Sequence, residues 1–296
     1  MPIALVHLVW APLGVEPLRV FLRSYQAHPA GAEHELVILL NGFGSDGADP
    51  DGRGARPPSH ESPARAATPG DDAPTPLTRE ALAVELHGVE RRLVDLEAPL
   101  LDLAAYGEAA RRLQHEWLCF VNSYGVILAD GWLGALARAA AQPDVGLVGA
   151  TGSWESRAEL VPGPPMHWIY QLAKLPGNRR GFPRFPNPHI RSSAFMLRRE
   201  HVLALGLERA RDKQAAYLLE SGRRSITRQI HARGLRAVVV GRDGRAYESD
   251  DWPRSATFRA GEQANLLVAD NRTAQWQYAA PDARASLSRQ AWRDAR

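Results

Sequence analysis

The stretch IALVHLVWAPLGVEPLRVFLRSYQAHPAGAEHELVILLN, residues 3–41, decides the fold class. IALVHLVW is a nearly unbroken apolar run of strand length, the pattern of a strand buried on both faces. PLRVFLRSYQAH reads as the helix that follows it, and HELVILLN (34–41) as the next strand. Strand, helix and strand of this size make a βαβ unit, which implies a parallel sheet with helices packed on its faces. Later segments repeat the pattern. EWLCFVNS, VGLVGATGSW, SSAFMLRR and LRAVVVG read as further strands, separated by helical stretches. Asp102 opens DLAAYGEAARRLQ and Asp130 opens ADGWLGALARAAAQ, each placed to cap a helix. In YLLESGRRSITRQIHARG, Ile226 and Ile230 share a helix face and Gly234 ends the helix. The expected class is α/β, with a mostly parallel central sheet flanked by helices and residues 1–296 forming a single domain.

Between Gly44 and Pro76 the composition turns to Gly, Pro, Ala, Asp and Ser, so residues 44–76 read as a disordered loop insertion. GFGSDG (42–47) satisfies G-x-G-x-x-G after a strand. That fingerprint binds a pyrophosphate only when a helix follows at once, and here a Pro- and Gly-rich linker follows, which argues against a dinucleotide-dependent oxidoreductase. Residues 161–188 read as a long shaped loop, and residues 275–296 as a helical, Ala- and Arg-rich tail that packs on the domain or contacts a partner.

The net charge is +3 and the arginines are spread along the chain without a dense basic block, which excludes nucleic acid as the expected partner. The single cysteine, Cys119, lies inside WLCFV, so no disulfide framework exists. No run approaches the roughly 20 apolar residues of a spanning helix, and no signal peptide is evident. A cytoplasmic location follows as an expectation, peripheral attachment at the inner face of a membrane included.

Ligands of open parallel sheets sit at the carboxyl ends of the strands. Trp10, Asn41, Asn122, Ser123, Tyr124 and Trp154 are the strand-end residues and hence the candidates to bind a ligand.

The order of elements resembles the nucleotide-sugar-dependent glycosyltransferases of the GT-A fold (Rossmann-related), most closely their inverting family 2. HELVILLNGF resembles the family's second strand, whose end holds the nucleobase. DLAAYGEAARRLQHEWLCFVNSYG resembles the helix and strand leading to its metal-binding turn. LESGRRSITRQIHARGLRAVVVG resembles the stretch that begins with its acidic catalytic motif. The resemblance implies a nucleotide-sugar donor and a glycan or lipid-linked acceptor, in polysaccharide or glycoconjugate assembly in a bacterium. The chain departs from the family at two points. The usual Asp-x-Asp is here Asn122-Ser123-Tyr124, and an amide and a phenol are poor ligands for a hard cation. The usual Glu-Asp pair is Glu220-Ser221. Mg2+ or Mn2+ therefore stays an expectation of the resemblance without its usual ligands, and its ligand set stays unknown.

Inverting transfer needs a base for the acceptor hydroxyl and donors or positive charge for the departing diphosphate. Glu220, read at a helix entrance facing the strand ends, is the candidate base. Asp250 and Asp251, in a segment able to curl back over the donor, are the alternatives, as base or as metal ligand. His189, Arg191 and Arg223 are the candidates to meet phosphate or acceptor, because a guanidinium fork suits phosphate oxygens. A domain of this kind that binds nucleotide or glycan without catalysis is the rival, motivated by the two missing carboxylates.

Overall fold

The structure is a computed structural model that describes residues 2–44, 74–159 and 175–293. The loop expected at 44–76 lies almost wholly outside these residues; half of the one expected at 161–188 does too, and its described half is not all loop, because residues 175–181 are helical. The leading stretch folds as read: strand β1 (Ile3–Trp10), helix α1 (Glu16–Ala27) and strand β2 (Glu35–Asn41). β1 and β2 pair in parallel, from Ala4 opposite Glu35 to Trp10 opposite Asn41. Apart from Trp10, β1 is buried along its whole length, as its composition requires. α1 turns Leu18, Phe21 and Leu22 onto the sheet.

Helix α2 (Arg79–Glu85) leads to strand β3 (Arg92–Asp95), an edge strand parallel to β2. Helix α3 (Asp102–Arg112) then delivers strand β4 (Trp117–Val121) to the other side of β1. Beyond it come the short strand β5 (Val126–Ile127), helix α4 (Trp132–Ala140), strand β6 (Val145–Gly149) and the two-residue strands β7 (Gly152–Ser153) and β8 (His189–Ile190). Strand β9 (Ala194–Arg198) runs antiparallel between β4 and β6. Helices α5 (Arg199–Leu205), α6 (Lys213–Ser221) and α7 (Ile226–His231) precede strands β10 (Arg236–Val240) and β11 (Ala246–Tyr247). Strand β12 (Val268–Ala269) pairs with β5, and helices α8 (Asn271–Gln277) and α9 (Pro281–Trp292) follow. The sheet order is β11-β10-β6-β9-β4-β1-β2-β3. Two apolar layers fill its faces, one centred on Phe21, Leu133 and Leu136, the other on Tyr106, Phe120 and Phe195.

This is the mostly parallel α/β sheet flanked by helices that the GT-A-like reading implied, with β9 and β11 as its antiparallel members. Several local readings are corrected. Leu101, not Asp102, is the N-cap residue of α3, with Asp102 in its first turn. α4 is preceded by Gly131 at φ 70°, and the Asp130 carboxylate meets His28 Nδ1 at 2.7 Å instead. The stretch 217–234 is two helices, because Gly222 leaves helical φ/ψ and Ser225 caps the second through its hydroxyl. The C-terminal tail, by contrast, is helical and packs on the domain as expected, α8 and α9 docking through buried Trp276, Ala291 and Trp292. Among the described residues no helix is long and apolar enough to cross a membrane.

Candidate functional site

The chain leaves β1 toward β2 and β3 on one side and returns through β4 on the other. Carboxyl ends at such a reversal bound a crevice where ligands of open α/β sheets bind. Because β9 is antiparallel, its amino end lies beside the carboxyl end of β4, with Val121 opposite Ala194. Residues 191–193 therefore meet residues 122–124: the Asn122 N–H donates to the Ser193 carbonyl at 2.9 Å. Asn122 is buried, and its Oδ1 accepts the Tyr124 N–H at 3.2 Å, an Asx-turn that shapes the strand end. Ser123 is buried beside it, and burial, then the charge of Asp102, pushes the Tyr124 phenol up.

β8 carries the next group, its main chain anchored where the Ile190 N–H donates to Thr227 Oγ1 at 2.9 Å. His189 is buried and lies 2.8 Å from the Asn187 carbonyl through Nδ1, so Nδ1 carries the proton and Nε2 is the acceptor in the neutral ring. Burial pushes its pKa down, against the pull of Glu220. Arg191 is buried, donates to Asp270 Oδ2 at 2.8 Å and to Thr151 Oγ1 at 3.3 Å, and lies 4.3 Å from the Phe258 ring centre. Burial opposes its charge, but Asp270 and the further carboxylates Glu220 and Glu155 hold its pKa up.

Glu220 Oε1 accepts the Ser192 N–H at 2.9 Å and the Ser192 hydroxyl at 2.7 Å. It sits in the last turn of α6, not at a helix entrance, so the helix dipole opposes its charge. Burial alone would push this carboxyl up. The His189 imidazole, the Ser192 N–H, Arg191 and the Ser192 hydroxyl more than offset that, and Glu220 lies below the ordinary carboxylate range, ionised at neutral pH.

The structure thus brings Glu220, His189 and Arg191 into one cluster beside the Asn122-Ser123-Tyr124 turn. Other candidates fall elsewhere. Asp250 is exposed and Asp251 is ion-paired with Arg254 at 2.6 Å, both on a 3-10 turn, and among the described residues no hydrogen bond or ion pair joins either to Glu220, His189 or Arg191. The expected metal or base role at Asp250 and Asp251 is therefore withdrawn. Arg223 donates to the Arg179 and Arg180 carbonyls at 3.1 and 2.9 Å, closing a helical end at 175–181 instead of facing phosphate. Asn41 is buried, its amide paired both ways with the Leu100 main chain at 2.7 and 3.0 Å. Trp154 donates to the Ser249 carbonyl at 3.0 Å and packs edge-on against Trp292 and Phe185, a seat for α9. Both side chains are engaged by main-chain groups. Trp10 remains at its strand end, partly buried, with an indole N–H that has no partner among the described residues.

Asp270 was missed. It follows β12, caps α8 by accepting the Arg272 and Thr273 N–H groups at 3.1 and 2.8 Å, and neutralises Arg191. The capping box Asp270-x-x-Thr273 was its sequence signal. Glu155 and Arg259, ion-paired at 2.9 Å, were missed as well.

A divalent cation does not fit the turn. The Asn122 oxygen is spent on a main-chain N–H, Tyr124 stays a neutral phenol, and no three His, Cys, Asp or Glu side chains gather as a ligand set among the described residues.

Between the connections leaving β1 and β4 lies a cleft of about 610 Å³, walled by α1, Tyr124, β5, β12 and α8. Asp270 is in its wall, so the cleft adjoins the Arg191 cluster.

No protein-family model matches the sequence, and no curated protein matches it. Solved structures similar in fold include a mannosyltransferase from Pyrobaculum calidifontis in complex with GDP-Man and Mn2+, at 15% identity and TM-score 0.43, over 80% of this chain and 54% of that one. The chain thus spans about half the length of that mannosyltransferase. Galactosyltransferase LgtC with donor and acceptor sugar analogs is similar at 8% identity and TM-score 0.43, over 79% and 73% of the two chains. A 4-diphosphocytidyl-2C-methyl-D-erythritol synthase from Anaerococcus prevotii is similar at 8% identity and TM-score 0.39, over 80% and 87%. Likenesses this loose concern the sheet and its helices; they transfer neither activity nor site residues.

Proposed function

We propose that this chain is a glycosyltransferase that moves a sugar from a nucleoside-diphosphate donor to an acceptor hydroxyl, with inversion and without a divalent cation. The observation that carries the reading is Glu220: a carboxylate kept ionised in a partly buried position at the ligand end of the sheet by Ser192, His189 and Arg191. In the reaction Glu220 takes the acceptor proton. The acceptor oxygen then bonds to the anomeric carbon as the bond from that carbon to the diphosphate oxygen breaks, and the nucleoside diphosphate leaves with the electron pair. His189, with Nδ1 held by the Asn187 carbonyl, lies close enough to the base for its charged form to favour the Glu220 carboxylate.

The donor end of this reading rests on Trp10, Asn122 and Ser123. Asn122 has spent its oxygen but keeps its amide N–H groups, and the Ser123 hydroxyl lies in the same turn. These are neutral hydrogen-bond donors for phosphate oxygens in place of a cation. Family 2 membership and a role in polysaccharide or glycoconjugate assembly belong to the same proposal.

One observation favours the noncatalytic alternative: Arg191 is already neutralised by Asp270, so no free buried cation awaits the leaving group at that point. Calorimetric titration of UDP, GDP and dTDP in EDTA and in Mn2+ tests the proposal. Binding of at least one nucleotide with equal affinity in both is expected. Binding only with Mn2+, or none at all, would contradict it.

A further inference from the structure

The cleft between α1 and α8 has a lining that sets it apart from a phosphate site. Its described lining residues include no Lys, Arg or His. Pro17, Val20, Val126, Leu128, Leu266 and Ala274 supply apolar wall, and Tyr124 and Tyr278 stand at it as aromatic surfaces. Its acidic members are all accounted for: Asp270 is paired with Arg191, Glu16 with Arg19 at 2.7 Å, and Glu262 with Arg284. The two partner arginines of the rim glutamates reach them from outside the lining. About 610 Å³ lies within the range of roughly 300–1,000 Å³ of small-molecule sites, which are mostly apolar with a few placed polar groups.

A second observation is independent of shape. Ala256, Arg259, Glu262 and Gln263 all have positive φ, at 56°, 46°, 55° and 51°, within one short segment. Two of them, Glu262 and Gln263, line the cleft. Backbone in this region is strained and persists where the surroundings over-determine it, which is typical of ligand sites. Here Gln263 is held by its amide, which donates to the Thr273 carbonyl at 3.1 Å and accepts the Arg259 N–H at 3.2 Å. The strained segment and α8 are thereby locked together as one wall.

We infer that this cleft is the acceptor subsite, and that it takes an uncharged acceptor with an apolar or aromatic body next to the hydroxyl that receives the sugar. The inference rests on the glycosyltransferase reading for the word acceptor, but the cleft's preference for uncharged apolar ligands does not. The described lining offers a phosphate-bearing lipid carrier no basic side chain, and Arg191, Arg19 and Arg284 behind it are already paired with its carboxylates. The nucleoside of the donor is disfavoured for the same reason, since its diphosphate would lie against that wall.

The test uses octyl β-D-glucoside below its micellar concentration, with methyl β-D-glucoside as control, titrated into the full chain by ligand-observed NMR. Octyl glucoside should bind at least tenfold more tightly than methyl glucoside. Ala274→Trp and, separately, Val20→Trp should each abolish that difference, with circular dichroism and the affinity for UDP, GDP or dTDP unchanged. Equal binding of the two glucosides, no effect of a folded cleft-filling variant, or displacement of octyl glucoside by the nucleotide would each overturn the assignment. If no nucleotide binds while octyl glucoside still does, the glycosyltransferase reading fails and the apolar site stands.

Discussion

Replacing Asp270 separates two contributions that one side chain makes. Its carboxylate balances Arg191 across 2.8 Å with side-chain exposures of 2% and 11%, and it also caps α8 through two main-chain N–H groups. Removing one partner of a buried pair costs about 3–5 kcal/mol, because the other charge is left uncompensated. Glu220 and Glu155 still face Arg191, so the lower end applies, about 3 kcal/mol for Asp270→Asn. An amide oxygen can still accept the Arg272 and Thr273 N–H groups, so that variant keeps the cap. Asp270→Ala loses the cap too, a further ~1 kcal/mol. Urea unfolding at pH 7, with the slope checked for constancy, measures both. The expected order is wild type, then Asn, then Ala, with the larger step first. A cost below about 1 kcal/mol for Asp270→Asn would refute the reasoning, since exposed pairs are worth that little.

Three further outcomes follow from the same contacts. Asn122→Asp keeps the acceptor for the Tyr124 N–H yet gains no second carboxylate, so the variant should fold normally and show no stoichiometric Mn2+ in an EPR titration; a tight single site would contradict this. Arg223→Ala should lose about 1 kcal/mol of stability with its carbonyl contacts and leave nucleotide affinity unchanged, whereas a large loss of affinity would return Arg223 to the phosphate site. Asp270, Glu220 and Glu155 all lie below the ordinary carboxylate range when folded. The unfolded chain therefore takes up protons first. The stability they contribute is present above roughly pH 4, near the unfolded carboxyl values, and is lost as pH falls through the lower folded values. The urea midpoint should drop steeply below pH 4, and less steeply in Asp270→Asn; a flat profile would count against the buried ion pairs.

The parallel sheet was legible in the sequence because its central strands are buried on both faces and so are apolar at nearly every position, as in β1 and β2. β3 was not, since it is a four-residue edge strand with Val94 as its sole buried residue. The break between α6 and α7 was passed over because Ile226 and Ile230 keep helical spacing, although Gly222 and Ser225 carried a breaker and a cap signal. At the site, family order nominated Glu220, and a position between the loop read at 161–188 and a strand nominated His189 and Arg191; the structure places the three side by side. Residue type could not distinguish a polar side chain that binds a ligand from one that binds backbone: Asn41 and Arg223 use the same amide and guanidinium groups on main-chain atoms. Asp250 and Asp251 were misplaced because an acidic run has the same composition whether it faces the site or water. Asp270 reaches Arg191 across 79 residues of sequence, and no local pattern encodes such a distance.

The central claim is that Glu220 is the base of a cation-independent transfer. It is tested most directly by the release of nucleoside diphosphate from UDP-, GDP- and dTDP-sugars in EDTA, with an alkyl glucoside as acceptor, for the wild type and Glu220→Gln. The amide retains an oxygen for Ser192 but cannot take a proton at neutral pH. The account predicts turnover by the wild type in EDTA and a loss of about 10²–10⁴-fold in kcat for Glu220→Gln, at unchanged nucleotide affinity. Equal turnover by the two proteins, or wild-type turnover that appears only when Mn2+ or Mg2+ is added, would contradict it.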